Sequence, residues 1–352
     1  MNEEIIRNAL KTVRYPGFSR DIVSFGIVRE ISVANGIVTV RLALTTADAE
    51  VPGKLREACE KALSAVPGVV KAVVEVSIQT PASAKAAAKA QEEKEPALKS
   101  VRAVIAVASG KGGVGKSTVS VNLACALDAL LHKTGSGSVG ILDCDIYGPS
   151  IPLMLGANNR PQVIDGRIQP EEARGLKIMS MGLLIDEDSP VVWRGPMVTS
   201  AINQFLRDVD WGDLDILVVD LPPGTGDAQL ALVQNIPVTG ALIVTTPQTA
   251  AVNVARRGAR MFAKVNVPIL GVVENMSYFV MPDGTRNSIF GSGGGEKVAQ
   301  ALGTTLLAEI PLDPALRAGC DAGLPAVISD PESAASREMF KLAASILDKL
   351  NL

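Results

Sequence analysis

A glycine-rich segment, Gly110-Lys-Gly-Gly-Val-Gly-Lys-Ser-Thr118, constrains the fold more than any other part of the sequence. It fits the pattern G-x-x-x-x-G-K-(S/T), in which glycines let the backbone turn its N–H groups inward around a polyphosphate. Residues 104–108 form an apolar, β-branched run typical of a buried strand, and residues 117–131 have the apolar spacing of a helix. Because a phosphate-binding loop joins a strand to a helix, the sequence predicts a nucleotide site at this point.

The residue types in this loop have distinct tasks in phosphate chemistry. Lys116 neutralises phosphate charge, Ser117 offers a hydroxyl to Mg²⁺, and the helix N-terminus adds its positive dipole end. A second lysine, Lys111, directly follows the first glycine, so it must stand beside the phosphates or point away from its own loop toward another molecule. The nucleotide-binding residues predicted in the loop are Gly110, Lys111, Gly112, Gly113, Val114, Gly115, Lys116, Ser117 and Thr118.

Composition and charge exclude several classes of function. The 352 residues are enough for a large and a small domain, and the formal net charge of -3 gives no electrostatic case for a nucleic-acid partner. No apolar run is long enough to span a bilayer and no signal peptide is evident, so we expect a cytoplasmic protein without a membrane partner. His132 is the only histidine and no C-x-x-C joins the 4 cysteines, which disfavours a histidine-centred triad or a zinc site.

The first 80 residues have the pattern of a small α+β domain. Helical spacing over residues 3–13 is followed by two alternating, β-branched runs, 26–34 and 36–44, which meet at the hairpin signal Asn35-Gly36. A second helix is predicted over 51–66 and a third strand over 69–78, which gives the order α-β-β-α-β. Residues 81–100, rich in Ala, Lys and Glu, are predicted to form a flexible linker to a larger domain at 101–352.

In the larger domain, apolar runs alternate with helical patterns. Continuous apolar strands with helices between them indicate an α/β fold with a mainly parallel sheet, covered on both faces. Ligands of such sheets bind outside the carboxyl ends of the strands, so the residues that follow each run are the candidate site residues. The predicted strands are 104–108, 139–142, 176–181, 216–219, 241–245, 269–273 and 305–310.

Acidic residues follow two of these runs. Asp143 and Asp145 stand at alternate positions after the second run, where one can hold the metal shell and the other can orient the attacking water. A helix cap and a turn aspartate are the structural alternative for this pair. Asp220 ends an apolar run in the Walker-B arrangement, which coordinates Mg²⁺ directly or through water. The predicted Mg²⁺ ligands are therefore Ser117, Asp143 and Asp220.

Two other strand ends are candidates for the nucleotide base. Asn275 follows the run 269–273, and its amide can both donate to and accept from the edge of an adenine ring. Pro311 follows the run 305–310, where it could pack as a backbone wall around the base. The sequence thus places a candidate residue at the end of nearly every predicted strand.

Several segments resemble the Mrp/ApbC family of iron–sulfur cluster carrier P-loop ATPases, in the SIMIBI class with MinD and ParA. The resemblance extends over nearly all of residues 101–335, and the N-terminal module resembles the MIP18-type domain through its order of elements and residues 22–30. The segments that carry it include Gly110-Lys-Gly-Gly-Val-Gly-Lys-Ser-Thr118, Asp143-Cys-Asp-Ile-Tyr-Gly-Pro-Ser150, Trp193-Arg-Gly-Pro-Met197, Thr245-Thr-Pro-Gln248, Glu274-Asn-Met-Ser277 and Ile289-Phe-Gly-Ser-Gly-Gly-Gly-Glu296.

The resemblance implies an ATP-binding protein that hydrolyses ATP slowly with Mg²⁺ and transfers iron–sulfur clusters to apo-proteins. It implies a homodimer in which Lys111 approaches the nucleotide of the other subunit, while Lys116 and Ser117 serve their own. Asp145 would help to position the water. On this basis the predicted catalytic residues are Lys111, Lys116 and Asp145.

The chain departs from the family at the cluster site. The resemblance implies a 4Fe–4S cluster bridging two subunits through a C-x-x-C just after the Asn-Met-Ser segment, yet residues 277–289 contain no cysteine. Met281-Pro-Asp-Gly284 stands there instead, and a carboxylate and a thioether are poor substitutes for thiolates on iron. Cys144 or Cys320 could contribute ligands, although the sequence favours a structural role for each.

Two alternatives to a cluster carrier stay open at the level of sequence. The first is a ParA/MinD-like dimerising switch that positions partners without carrying metal. The acidic balance disfavours DNA as its target, and residues 332–352 lack the basic face of a membrane-surface helix. The second is a scaffold in which the N-terminal module recruits clients and ATP controls the dimer geometry.

Overall fold

The structure, a computed structural model, describes residues 3–13, 22–23, 27–34, 37–44, 51–78, 98–135, 137–146, 148–184, 195–224, 227–248, 258 and 261–352. The chain divides into two compact units, Met1–Pro96 and Ala97–Leu352. Most of the predicted linker lies outside the described residues, as do Asn35 and Gly36 of the predicted hairpin turn and residues 185–194, which include Trp193.

The N-terminal unit has the predicted order of elements, α-β-β-α-β. Its sheet has the order β1-β2-β3, in which the first pair is antiparallel and the second parallel. Alternate residues of the middle strand, Val38, Val40, Leu42 and Leu44, are buried against the helices because strand side chains alternate between faces. The elements are α1 (Glu3–Leu10), β1 (Val28–Ala34), β2 (Ile37–Leu44), α2 (Val51–Ser64) and β3 (Lys71–Ile78).

The larger unit contains the predicted parallel sheet. Its described strands are β4 (Val101–Ser109), β5 (Val139–Asp143), β6 (Val163–Ile164), β7 (Arg167–Ile168), β8 (Glu171–Ala173), β9 (Leu176–Ser180), β10 (Leu214–Asp220), β11 (Gly240–Thr245), β12 (Ile269–Glu274), β13 (Phe279–Val280), β14 (Arg286–Asn287) and β15 (Leu306–Glu309). Its described α-helices with printed bounds are α3 (Lys116–Lys133), α4 (Ile151–Leu155), α5 (Gly195–Asp208), α6 (Asp227–Asn235), α7 (Gly294–Leu302), α8 (Pro314–Asp321), α9 (Ala326–Ser329) and α10 (Ala334–Leu350).

The main sheet has eight strands in the order β15-β12-β11-β4-β10-β5-β9-β8. The central strand β4 shows why the sheet is covered on both faces. Ile105 and Val107 pack into one hydrophobic core with α3 and α10, whereas Val104 and Ala106 pack into a second core with α5 and α6. A strand apolar at every position needs cover on both faces, and this arrangement brings the carboxyl ends of the parallel strands to one edge.

The predicted strands of the main sheet are all present, with ends that differ by up to three residues. Three short elements were not predicted: the antiparallel edge strand β8 and the hairpins β6–β7 and β13–β14. They are two or three residues long and largely exposed, so they leave no hydrophobic period in the sequence. The fold class predicted from the sequence is confirmed.

Candidate nucleotide-binding site

The phosphate-binding loop joins β4 to α3 and turns through glycines of positive φ. Gly113 and Gly115 have φ angles of 76° and 79°, a left-handed conformation that costs other residues about 1–2 kcal/mol. A Cβ atom on Gly115 would lie 2.2 Å from Nδ2 of Asn275, whereas one on Gly113 would meet nothing within 4 Å. Glycine is therefore required at position 115 by both backbone conformation and packing.

A buried ion pair connects α3 with the end of β10. Nζ of Lys116 donates to Oδ2 of Asp220 over 2.6 Å, and the Ser117 hydroxyl donates to the same oxygen over 2.7 Å. The side chains of Lys116 and Asp220 are 6% and 0% exposed. Removing one partner of such a pair leaves an uncompensated buried charge, at a cost of about 3–5 kcal/mol. The residues predicted to bind phosphate and Mg²⁺ therefore meet at one point.

Asp143 stands next to this ion pair, because it ends β5 in register with Asp220 at the end of β10. Its carboxylate accepts hydrogen bonds from the backbone N–H of Asp145 at 3.0 Å and from the Ser180 hydroxyl at 3.1 Å. Burial, followed by the charge of Asp220, raises the pKa of Asp143 to about 7, although the Asp145 N–H and Lys116 lower it. The water-positioning role of Asp145, which is half-buried, stays a prediction.

Lys111 contacts its own chain. Its Nζ donates to Oε1 of Gln248 over 3.2 Å, in the segment that follows β11. The Ser109 hydroxyl also donates to the backbone carbonyl of Lys111 over 3.0 Å, which fixes the start of the loop. The lysine is thus held beside the loop, and its predicted approach to the nucleotide of a second subunit stays a prediction.

The segments that carry Asn275 and Pro311 run side by side at the same edge of the sheet. Backbone hydrogen bonds join them, from Ser277 N–H to Ile310 O at 2.9 Å and from Leu312 N–H to Tyr278 O at 2.7 Å. Both Asn275 and Pro311 are buried. However, Nδ2 of Asn275 donates to the loop carbonyl of Val114 over 2.9 Å. Its described contact therefore supports the phosphate loop, and the adenine contacts proposed for Asn275 and Pro311 stay predictions.

Comparisons with known proteins identify the family. A model described as the NUBPL iron-transfer P-loop NTPase family matches residues 100–347. The chain belongs to this family. A second model, described as an iron–sulfur cluster assembly protein, matches residues 3–76 in the N-terminal unit.

Two relatives align with this chain over its whole length. An iron–sulfur cluster carrier protein of Synechocystis sp. is 44% identical over 100% of this chain and 99% of its own length. A protein of the same name from Deinococcus radiodurans is 45% identical over 100% of this chain and 96% of its own. Both domains are therefore present in the same arrangement in these two bacterial proteins.

Solved structures similar to this chain cover about 70% of it. A nucleotide-binding protein from Archaeoglobus fulgidus in complex with ADP is 38% identical, with a TM-score of 0.58 over 69% of this chain and 93% of that one. The septum site-determining protein MinD of Pyrococcus horikoshii has a TM-score of 0.53 over 71% of this chain and 97% of that one, at 24% identity. The second similarity supports the MinD-like fold alone.

The donors at the site fit a magnesium–nucleotide complex. Ser117, Asp143 and Asp220 offer only oxygen atoms, which are the ligands that Mg²⁺ prefers, and Lys116 and the glycine loop suit a polyphosphate. Within the described ranges, no group of three or more His, Cys, Asp or Glu side chains is arranged to hold a metal. Mg²⁺ is usually held by one or two carboxylates together with substrate phosphates, and Asp143 and Asp220 are the carboxylates here.

Two residues at the site, Ser120 and Ser180, were not predicted from the sequence. Ser120 lies one turn after Lys116 in α3, and its hydroxyl donates to Oδ1 of Asp220 over 2.5 Å. Ser180 ends β9 and donates to Asp143. Ser120 lies beyond the loop motif, but Ser180 could have been noticed, because it ends a predicted strand on the same edge.

The cysteines do not form a cluster site in the described structure. All four are free and buried. Burial raises the pKa of the Cys144 thiol well above its usual range, and the charge of Asp143 raises it further. Burial also raises the pKa of the Cys320 thiol. Cys144 packs in the second core, and Sγ of Cys320 accepts a hydrogen bond from Nδ2 of Asn122 over 3.7 Å. Neither thiol is exposed in the described structure, which agrees with the structural role favoured for each, and a contribution of either to a cluster stays a prediction.

The segment where the family pair was expected is an exposed hairpin. Strands β13 and β14 form it, and the N–H of Met281 donates to the carbonyl of Thr285 over 2.9 Å across the turn. Val280 and Met281 are 39% and 37% exposed, and Ile289 beyond the hairpin is 53% exposed.

No described helix is long and apolar enough to cross a bilayer.

Proposed function

We propose that the protein is an ATP-dependent carrier that delivers iron–sulfur clusters to apo-proteins. The observation that carries this proposal is the meeting of Lys116, Ser117 and Asp220 in a chain whose two units match family models of an iron-transfer NTPase and an iron–sulfur cluster assembly protein. The full-length similarity to proteins named iron–sulfur cluster carriers supports it. A switch without cargo is less well supported, because the proteins with MinD-like folds match only the larger unit.

Nucleotide binding would rearrange the buried ion pair. In the structure Lys116 and Ser117 both donate to Oδ2 of Asp220. With ATP bound, Lys116 would turn to the phosphates and Ser117 would contact Mg²⁺, and Asp220 would hold the metal directly or through water. The Mg²⁺ ion supplies charge neutralisation for the phosphates. Asp143, next to Asp220, would support the metal shell, and Asp145 would orient the attacking water.

Hydrolysis would require two copies of the chain. In the proposed homodimer, Lys111 leaves Gln248 and approaches the nucleotide of the other subunit. Its single described side-chain contact, a 3.2 Å hydrogen bond to a neutral amide, is weak enough to exchange. ATP would thereby control how the two subunits, and any cargo between them, are held.

The cargo would be held with ligands from a second polypeptide. The four cysteines are buried, and the described residues of a single chain form no cluster site. Cluster ligation by thiolates would therefore use groups from a donor or a recipient, or a rearranged chain. We expect the protein to retain a cluster poorly alone and to speed its passage between donor and recipient in the cytoplasm.

Anaerobic cluster transfer tests this function. The full-length protein is mixed with a cluster-loaded donor and an apo-recipient, with and without ATP, and transfer is followed by visible absorbance and by iron and sulfide analysis. We expect faster transfer with ATP and no acceleration by Lys116→Ala. Reconstitution of the protein alone with iron and sulfide measures how much cluster it retains by itself.

The outcomes separate the carrier from the switch. If the protein binds ATP but neither retains a cluster nor accelerates transfer, the carrier function is wrong and a ParA/MinD-like switch or scaffold explains the chain better. If ATP does not bind, both functions fail. Lys133→Ala is the matched control, since Lys133 is exposed at the opposite end of α3 from Lys116.

A further inference from the structure

The two oxygens of the Asp220 carboxylate have different partners. Oδ2 accepts from Lys116 and Ser117, the two residues that the proposed function assigns to phosphate and Mg²⁺. Oδ1 accepts from the Ser120 hydroxyl at 2.5 Å. Asp220 is itself 0% exposed, so these donors take the place of water around its charge.

Ser120 is built into the helix behind the loop. It is 0% exposed, and its hydroxyl lies within 3.1 Å of the carbonyl of Lys116 as well as 2.5 Å from Asp220. A serine hydroxyl has one proton to donate, and a bond to a carboxylate is stronger than one to a neutral carbonyl. The shorter distance to Asp220 agrees with donation to the charged group.

We propose that Ser120 is a positioning residue that holds Oδ1 of Asp220, so that Oδ2 stays directed at the Mg²⁺ position when nucleotide binds. The inference rests on the proposed nucleotide function, because it concerns how the site changes between its free and bound states. Lys116 and Ser117 both leave Asp220 for the ligand in that change. Ser120 is buried behind the carboxylate, so it stays bonded in both states and prevents Asp220 from rotating.

The consequence is specific to the metal. Without Ser120 the Asp220 carboxylate has an unpaired buried oxygen, Oδ1, and can turn away from the Mg²⁺ position. Contacts between the glycine loop and the phosphates do not involve Ser120, so binding of metal-free nucleotide does not depend on it. Ser120→Ala therefore lowers the gain in ADP affinity that Mg²⁺ provides by roughly tenfold, the loss expected for one hydrogen bond to a charged group.

Calorimetric titration of the full-length protein with ADP, in chelator and then with excess Mg²⁺, tests the proposal. The measured quantity is the ratio of the two affinities for the wild type, Ser120→Ala and Ser120→Thr, which keeps the hydroxyl. Ser336→Ala is the matched control, because Ser336 is also a 0% exposed serine but lies on α10. If Ser120→Ala does not fold, Ser120→Cys provides a variant of similar size with a weaker donor.

We expect the ratio to fall about tenfold in Ser120→Ala, to recover in Ser120→Thr and to stay at the wild-type value in Ser336→Ala. An unchanged ratio in Ser120→Ala overturns the proposal, as does an equal fall in Ser336→Ala, which would indicate a general loss of stability. A wild type that fails to bind ADP, or that gains nothing from Mg²⁺, contradicts the nucleotide function itself. The two failures are therefore distinguishable.

Discussion

The nucleotide site and the β13–β14 hairpin lie at corresponding places in the topology but differ in construction. Each follows the carboxyl end of a parallel strand, β4 for the loop and β12 for the hairpin. The loop leads to a buried ion pair in which the Asp220 side chain is 0% exposed. The hairpin presents Val280 and Met281 to solvent, and its residues 279–287 include no cysteine. The residues predicted to bind the nucleotide thus lie together, whereas the described hairpin contains no thiolate for iron.

This difference matches the different demands of binding a nucleotide and of carrying a cargo that must be released. The groups predicted to bind phosphate and Mg²⁺ already lie together, so binding would require only that Lys116 and Ser117 exchange Asp220 for the ligand. A cargo that has to be released gains from incomplete coordination, because full ligation by one chain would hold it too tightly. This difference agrees with the proposed carrier, in which the nucleotide site lies within one chain and a second polypeptide supplies ligands for the cargo.

The cysteines offer the largest test of this comparison. Burial, followed by the charge of Glu60, raises the pKa of Cys59 to about 12, so its thiolate fraction at pH 8 is about a thousandfold below that of a free cysteine. We expect little reaction of any of the four buried thiols with an aromatic disulfide reagent in the native protein. The reaction rate of Cys59 should rise about tenfold per pH unit up to about pH 12, since only the thiolate reacts. The same reagent in guanidinium, where four thiols should react, is the control. Rapid labelling of the native chain would show that the protein does offer an accessible thiol as a ligand.

Lys116→Ala tests the nucleotide site. We expect at least about a hundredfold loss of ADP affinity, because the variant removes both the phosphate-facing cation and the partner of Asp220. Calorimetry measures the affinity, with Lys133→Ala as the control for loss of a lysine from α3. Wild-type affinity in Lys116→Ala would refute the assigned role.

Two glycine variants separate backbone strain from packing at the loop. Gly113→Ala and Gly115→Ala both place a side chain at positive φ, yet only Gly115→Ala brings a Cβ atom to 2.2 Å from Asn275. We expect Gly115→Ala to weaken ADP binding about tenfold more than Gly113→Ala, since Asn275 is held by Val114 and the loop must move instead. Equal effects in the two variants would mean that the Asn275 contact does not define the loop.

Met281→Ser is expected to have the smallest effect. Because Met281 is 37% exposed in the hairpin turn, its replacement should change the free energy of unfolding by less than about 0.5 kcal/mol and leave ADP affinity unchanged. Met339→Ala, at a 0% exposed position of α10, should cost about 2–5 kcal/mol in the same chemical denaturation experiment. A large effect of Met281→Ser on stability or on ADP binding would show that the hairpin depends on a specific side chain, as the nucleotide site does.

The sequence by itself determined the features of this protein that depend on short motifs and on hydrophobic periodicity. The glycine loop, the apolar strands and the acid at the end of β10 predicted the α/β fold and the meeting of Lys116, Ser117 and Asp220, because parallel strands bring their carboxyl ends to one edge. The N-terminal order of elements followed from alternation and helical spacing in the same way. The adenine contacts, the role of Asp145 and the dimer contact of Lys111 remain predictions.

Only the tertiary structure decided which side chains from distant segments meet. Ser120 and Asp220 are 100 positions apart, and Asn275 and Val114 are 161 apart. Periodicity shows which face of an element is buried, but it does not give the rotation and register that bring two hydroxyls to opposite oxygens of one carboxylate. The burial of Cys144 and Cys320 likewise depends on how helices cover the sheet. Local sequence motifs were enough to predict the residues for the nucleotide, whereas the packing of distant segments set the contacts that position those residues.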